Sequence, residues 1–117
     1  IPGGFVRHPE SAAAGLWAGA TDLVRIMRSI LISLNGDSAA ILPAHLARQM
    51  IAPVTPRVAH GVFVEPGKPI GHDGRNEGFD SAMIADLVSG RVRAGVTNQN
   101  GQMQRVLDAD HAIHGKS

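Results

Sequence analysis

Apolar positions that recur every three to four residues predict a first helix over residues 19–34. The residues of this stripe are Leu16, Trp17, Ala20, Leu23, Val24, Met27, Ile30, Leu31 and Leu34. Asp22 falls in the first turn, where a carboxylate stabilises the positive end of a helix, and Asn35-Gly36 follows as a left-handed exit. A shorter helix is predicted over residues 43–51, because Pro43 is tolerated at the first helical position and Pro53 stops the helix.

The pattern then changes from helical spacing to alternation, which predicts strands. The strand segments are residues 58–64, 68–74, 79–87 and 92–98, with turns at Pro66-Gly67 and Ser89-Gly90. Along residues 79–87, one face carries Phe79, Ser81, Met83, Ala85 and Leu87, and the other carries Asp80 and Asp86. A last helix follows Asn100-Gly101 and carries Met103, Val106, Leu107 and Ile113. Separate helices around three or four antiparallel strands indicate an α+β fold, an antiparallel meander flanked by helices.

Composition narrows the classes of function. The chain has 117 residues and 12.3 kDa, of which 44% are hydrophobic and 18% charged, and this fits one domain with a real core. A formal net charge of +1 is too balanced for a protein that binds nucleic acid or a membrane surface. The longest apolar stretch, near residues 30–34, is far too short to span a membrane. Zero cysteines exclude disulfides, thiolate metal sites and a cysteine nucleophile.

The densest cluster of polar residues and glycines lies between two predicted strands. It is His72-Asp73-Gly74-Arg75-Asn76-Glu77-Gly78-Phe79, called the 72–79 segment below. A loop of this kind has flexible backbone points and exposed donors, so it can present N–H groups to an anion or an oxyanion. Composition alone favours an ordinary connection between strands over such a site.

The 72–79 segment resembles the third conserved box of the serine β-lactamase and penicillin-binding-protein-like hydrolases. The similarity is to the branch of class C β-lactamases, DD-peptidases and esterases, in which His-x-Gly replaces Lys-Thr-Gly. Four further segments resemble the family in its order and spacing, namely residues 12–17 with 21–23, Leu42-Pro43 with Gln49-Met50, residues 61–64 and residues 95–98. The resemblance implies a partial β-lactamase/transpeptidase-like fold, in which residues 1–117 form a single partial domain without the N-terminal catalytic part.

Two catalytic boxes of that family have no counterpart in this chain. In relatives, a serine of a Ser-x-x-Lys box attacks an acyl carbonyl, and the lysine and a tyrosine of a Tyr-x-Asn box move protons. None of the seven serines here is followed by lysine three residues later, the only lysines are Lys68 and Lys116, and there is no tyrosine. The resemblance therefore implies no catalytic nucleophile or base here, and a chain that is inactive alone.

Only the third box transfers to positions of this sequence. The resemblance implies that His72 faces the acyl site and helps to orient substrate, and that Gly74 lets the substrate backbone approach. It also implies that the backbone N–H of Arg75 is half of an oxyanion hole. The residues given a structural role in the loop are Asn76, Gly78 and Phe79.

Other candidate sites are weaker, and no metal or cofactor is expected. Asp108, Asp110, His111 and His114 have spacing that can share a metal, but such a cluster at a chain end is typical of a polar helix terminus. His60 is expected to alternate within a strand as a partly exposed residue. Gly36-Asp37-Ser38 matches a hydrolase nucleophile block only by chance, since it follows a helix exit and not a strand.

The first hypothesis is therefore the C-terminal portion of a serine hydrolase that cleaves an amide, β-lactam or ester through an acyl-serine, with the acyl substrate as partner of the full-length protein. The alternative is a short non-catalytic binding or assembly module derived from the family, and a third possibility is a catalytic half in a separate chain. In relatives, N-terminal strands pack beside the strand that begins at Val92 and ends at Asn98. A homodimer or strand exchange through this edge is expected if the chain folds alone. Periplasmic, secreted and cytoplasmic locations all fit the sequence.

Overall fold

The computed structural model describes residues 13–114, with side chains up to residue 108. The elements within these residues are α1 (Ala20–Leu34), α2 (Ala44–Ile51), β1 (Ile70–Asn76), β2 (Phe79–Ala85), β3 (Val92–Thr97) and α3 (Met103–His114). The strands form an antiparallel sheet in the order β1-β2-β3. The predicted α+β class, with a meander flanked by helices, is confirmed.

Helix α1 begins where its sequence predicts. The Asp22 carboxylate accepts a hydrogen bond from the Gly19 N–H at 3.2 Å, and the Gly19 carbonyl accepts the first intrahelical bonds. Met27 and Ile30 are buried on the apolar face. The stripe starts at the helix and not before it, because Leu16 and Trp17 precede α1 and are each 75% exposed.

The core lies between α1 and one face of the sheet. It is formed by the buried residues Met27, Ile30, Ala59, Val62, Val64, Ile70 and Ala85. On the opposite face of the sheet lies α3, so closely that a Cβ added to Gly95 would lie 3.0 Å from Val106 Cγ1 and 3.1 Å from Met103 Sδ. Both faces are therefore covered where β2 and β3 pair, which buries small residues such as Ala82.

The strand predicted over residues 58–64 is wrong. The structure has only isolated bridges there, which join Thr55 to Val58, Val58 to Phe63 and Phe63 to Gly71. The Ala59 N–H donates to the Val62 carbonyl at 2.9 Å, closing a tight turn in which Gly61 has a φ of +81°. This turn interrupts the extended backbone, so His60 is exposed as predicted but does not lie in a strand.

The two long strands differ from their predicted bounds. β1 starts at Ile70, since the Lys68 N–H turns back to the Glu65 carbonyl at 3.1 Å, and it continues to Asn76. β2 stops at Ala85, so Leu87 lies in the next turn and not on a strand face. Asp80 is 5% exposed because α3 and its preceding loop cover that face.

Candidate active-site wall on strand β1

Strand β1 carries the first five residues of the 72–79 segment and has an open edge. It pairs with β2 on one side. On the other side, the Gly71 N–H and carbonyl make hydrogen bonds to Phe63, at 3.1 and 2.6 Å, and among the described residues no strand longer than this bridge lies there. Backbone groups of an antiparallel strand alternate in direction, so the N–H groups of Asp73 and Arg75 point the same way as that of Gly71, away from β2. Beyond the Phe63 bridge, this outward edge is uncovered by any other described strand.

His72 lies beside the open edge. It is on the same face of the sheet as Ile70, the face that packs on α1. Its ring stacks on Phe63, with ring centroids 5.4 Å apart and planes inclined by 16°. It lies opposite Met83 of β2 and is exposed. The stack fixes one side of the imidazole and leaves the rest accessible to solvent.

Gly74 shares the face of His72 and lies opposite Ser81. A Cβ added at Gly74 would lie 3.0 Å from Ser81 Oγ, which is tighter than ordinary van der Waals contact. A side chain at position 74 would have to displace the Ser81 hydroxyl, whereas glycine leaves the surface beside His72 free of side-chain atoms.

Arg75 points its side chain to the opposite face, where it pairs with the buried Asp80. The Nε donates to Oδ1 at 3.0 Å and Nη2 to Oδ2 at 3.5 Å. The hydrogen bond from Arg75 is the largest cause that lowers the pKa of Asp80, followed by that from Asn100. The same hydrogen bond raises the pKa of Arg75, so both groups stay charged at neutral pH.

The turn between β1 and β2 is tied to a distant loop by Asn100. Its Oδ1 accepts from the Gly78 N–H at 2.8 Å, and its Nδ2 donates to the Asn76 carbonyl at 2.8 Å and the Phe79 carbonyl at 3.1 Å. Nδ2 also donates to Asp80 Oδ1 at 2.8 Å. Gly78 has a φ of +79°, a conformation that favours glycine in this turn.

Neither Asp80 nor Asn100 is predicted from the sequence as a partner of the 72–79 segment. The pairing of Asp80 had a signal: a two-residue turn at Glu77-Gly78 places residue 75 opposite residue 80, and these are Arg and Asp. Asn100 had no comparable signal, because its contacts span 21 to 24 residues and depend on how the loop before α3 folds back.

Other candidate sites in the described residues offer less. A hollow of about 350 Å³ lies between the end of α1 and the β2–β3 turn, at the far end of the sheet from the turn at Gly78. No group of three or more His, Asp or Glu side chains in the part of the chain with described side chains is placed to hold a metal ion. The side chains of Asp110, His111 and His114 lie outside that part. No helix among the described residues is long and apolar enough to cross a membrane.

Comparison with protein families decides the assignment. The β-lactamase family model matches residues 2–116, nearly the whole chain. The chain belongs to the β-lactamase family. The resemblance carried by the 72–79 segment is thereby confirmed at the level of the family, and the α+β sheet fits a partial β-lactamase-like fold. Searches of curated proteins and of solved structures return no match.

Proposed function

We propose that this chain forms one wall of the acyl-transfer site of a serine hydrolase that cleaves an amide, β-lactam or ester through an acyl-serine. In this proposal the wall is strand β1, and the serine nucleophile and its base lie outside the 117 residues. The chain alone is then inactive. It is the C-terminal part of the catalytic domain.

One observation carries the proposal: at the open edge of β1, the Arg75 N–H points away from β2, in the plane of the sheet. The direction follows from the Gly71 bonds to Phe63, four residues earlier on the same strand. An N–H held in this way needs no reorganisation when a carbonyl oxygen gains negative charge, which is how an oxyanion hole lowers a barrier. A second donor from elsewhere in the catalytic domain would complete the hole.

His72 and Gly74 support the same role. The stack on Phe63 holds the His72 ring next to the open edge, where it can orient a substrate. Gly74 adds no side chain between this ring and the Arg75 backbone. In the proposed reaction, a base outside these residues takes the proton of a serine Oγ as that oxygen attacks the carbonyl carbon, and the Arg75 N–H donates to the resulting oxyanion. The leaving group departs with that proton as the acyl-serine forms, and water then cleaves the acyl-serine to the acid and the free serine.

The sequence lacks the lysine and tyrosine that would activate a serine nucleophile in this family, which supports a nucleophile outside these residues. A free serine hydroxyl is a weak nucleophile and needs an adjacent base. No serine here has the lysine three residues later that the family uses, and there is no tyrosine. Ser81 lies opposite Gly74 on β2, close to His72. The residue three positions after it is Ile84 and not the lysine that the family uses.

Intact mass of the natural protein after incubation with a fluorophosphonate tests the proposal. We expect one adduct on a species well above 12.3 kDa, at a serine outside these residues. An adduct on one of the seven serines of this sequence would refute the proposal. A 12.3 kDa species without adduct would favour the alternative, a non-catalytic binding or assembly module. The lack of the Ser-x-x-Lys and Tyr-x-Asn boxes in this sequence is the observation that supports that alternative.

Dimerisation through β3 stays a prediction. β3 is the last strand of the described sheet, and alternation turns the backbone groups of Val92, Ala94 and Val96 away from β2. An antiparallel copy centred on Ala94 would pair Val92 with Val96 and place Arg93 opposite Gly95, which avoids like charges directly across the strands. Light scattering on the isolated chain should show a dimer, and a strictly monomeric species at high concentration would count against it.

A further inference from the structure

The turn that follows Arg75 is held by contacts that a hairpin does not need. Asn100 reaches it from the loop before α3 and makes hydrogen bonds to Gly78, Asn76 and Phe79. Two-residue hairpin turns close through their own backbone, without a side chain from another loop. The added contacts bind the backbone on both sides of the turn, starting one residue after Arg75.

The side chain of Arg75 is held by the same group of residues. The Asp80 carboxylate accepts a hydrogen bond from the Arg75 guanidinium. It also accepts hydrogen bonds from Asn100 Nδ2 at 2.8 Å and from the Gly101 N–H at 2.6 Å. Asp80 is buried, so its position is set by these partners and not by solvent. Asp80 and Asn100, called the turn clasp below, therefore fix Arg75 through its side chain and through the backbone that follows it.

We propose that Asp80 and Asn100 are positioning residues for the Arg75 N–H. This rests on the proposed function, in which that N–H donates to an oxyanion. The turn clasp acts at a distance from the substrate: it restricts the rotation of the Arg75 peptide at the open edge of β1, where no further strand in the described part of the chain does so. A displacement of about 1 Å in a group of this kind lowers a rate by as much as 100-fold.

The first test needs no activity and uses the natural protein. Amide NMR spectra are compared for the wild type, Asn100→Ala and the control Asp86→Asn. The control changes the carboxylate that holds the β2–β3 turn, at the other end of the sheet. We expect Asn100→Ala to shift and broaden the amide signals of Gly74, Arg75 and Gly78, and Asp86→Asn to leave them unchanged. An unchanged Arg75 signal in Asn100→Ala overturns the inference, whatever the activity of the natural protein.

The second test measures the site itself in the natural protein. Fluorophosphonate labelling is separated into the rate at saturating probe and the half-saturating concentration. Asn100→Ala should lower the saturated rate at least tenfold and change the half-saturating concentration less than about twofold, because the lost interaction belongs to the transition state. Asn100→Asp, which keeps the acceptor for the Gly78 N–H, covers the case in which the alanine variant fails to fold, and it should also lower the rate.

The outcomes separate the two proposals. An unchanged saturated rate in the Asn100 variants, or an equal fall in Asp86→Asn, overturns the positioning role while the labelled wild type still supports the proposed function. An unlabelled wild type refutes the proposed function, and the positioning of Arg75 is then decided by the NMR comparison alone.

Discussion

The two turns of the sheet are built differently. The β2–β3 turn closes on itself: the Asp86 carboxylate accepts from the Val88 and Ser89 N–H groups at 2.8 and 3.0 Å, and the Gly90 N–H returns to the Asp86 carbonyl. The β1–β2 turn at Glu77-Gly78 is also held by hydrogen bonds to Asn100, more than twenty residues away.

This difference separates a turn that only reverses the chain from one that carries a candidate site. The hydrogen bonds of the β2–β3 turn join residues that are close in sequence, so they form whenever the turn forms. The β1–β2 turn gains its hydrogen bonds to Asn100 only when the loop before α3 is in place. The position of the Arg75 N–H is thus coupled to α3 packing on the opposite face of the sheet.

Removal of the Asp80 carboxylate should have the largest effect on stability. Asp80→Ala takes the partner from Arg75, Asn100 and the Gly101 N–H at once, and hydrogen bonds to charged groups contribute about 1.5–3 kcal/mol. We expect a loss of about 2–3 kcal/mol in the free energy of unfolding, measured by urea denaturation. A loss no greater than that of Asp86→Ala would show that the two turns do not differ in this respect.

Asn100→Ala should have the next largest effect. It removes four hydrogen bonds, but Asn100 is exposed and water replaces part of what is lost. We expect a loss of about 1–2 kcal/mol in urea denaturation. Hydrogen exchange should become faster at the Gly78 amide, while the Val88 amide keeps its rate.

Asp86→Ala should have a smaller and more local effect. The carboxylate holds only the N–H groups of its own turn, and removal of a comparable cap typically costs about 1 kcal/mol. Hydrogen exchange should become faster at Val88 and Ser89 and remain unchanged at Gly78. A change at Gly78 would mean that the two ends of the sheet are coupled.

Acid should weaken both turns, because it protonates the carboxylates that hold them. At neutral pH both carboxylates are charged and this loss of stability is absent. The backbone bond from Ser89 lowers the pKa of Asp86, as the bond from Arg75 lowers that of Asp80. A carboxylate with a lowered pKa stabilises the fold above its unfolded pKa of about 3.9, and this stability is lost as the pH falls through the folded pKa. Urea denaturation between pH 5 and pH 2 should show this loss in the wild type and a smaller loss in Asp80→Asn, because the variant lacks the Asp80 carboxylate and keeps only that of Asp86.

Periodicity predicted the elements whose burial is decided by neighbours close in sequence. Helices α1 and α2, and strands β2 and β3, lie within a few residues of their predicted bounds. Residues 58–64 alternate just as well, but the turn at Gly61 and the packing of Val62 under α1 decide their structure. The turn is local and the packing of Val62 on α1 is long-range, and the hydrophobic pattern contains neither of them.

The candidate site divides in the same way. His72, Gly74 and Arg75 were found by motif, and the Arg75–Asp80 pair follows from the length of the hairpin turn. Asn100 was assigned only to a turn, because nothing in its local sequence indicates that its amide reaches Gly78. Motifs thus located the strand, whereas the contacts that hold it needed the three-dimensional structure.

Replacement of Arg75 by proline tests the central claim most directly. Proline removes the N–H but leaves the β1–β2 ladder intact, because that N–H points away from β2. Arg75→Ala is the matched control, since it loses the same pair with Asp80 but keeps the N–H. In the natural protein, Arg75→Pro should lower the rate of fluorophosphonate labelling by at least about 100-fold, and Arg75→Ala by no more than about tenfold. Equal rates in the two variants would contradict the claim that β1 supplies an oxyanion donor.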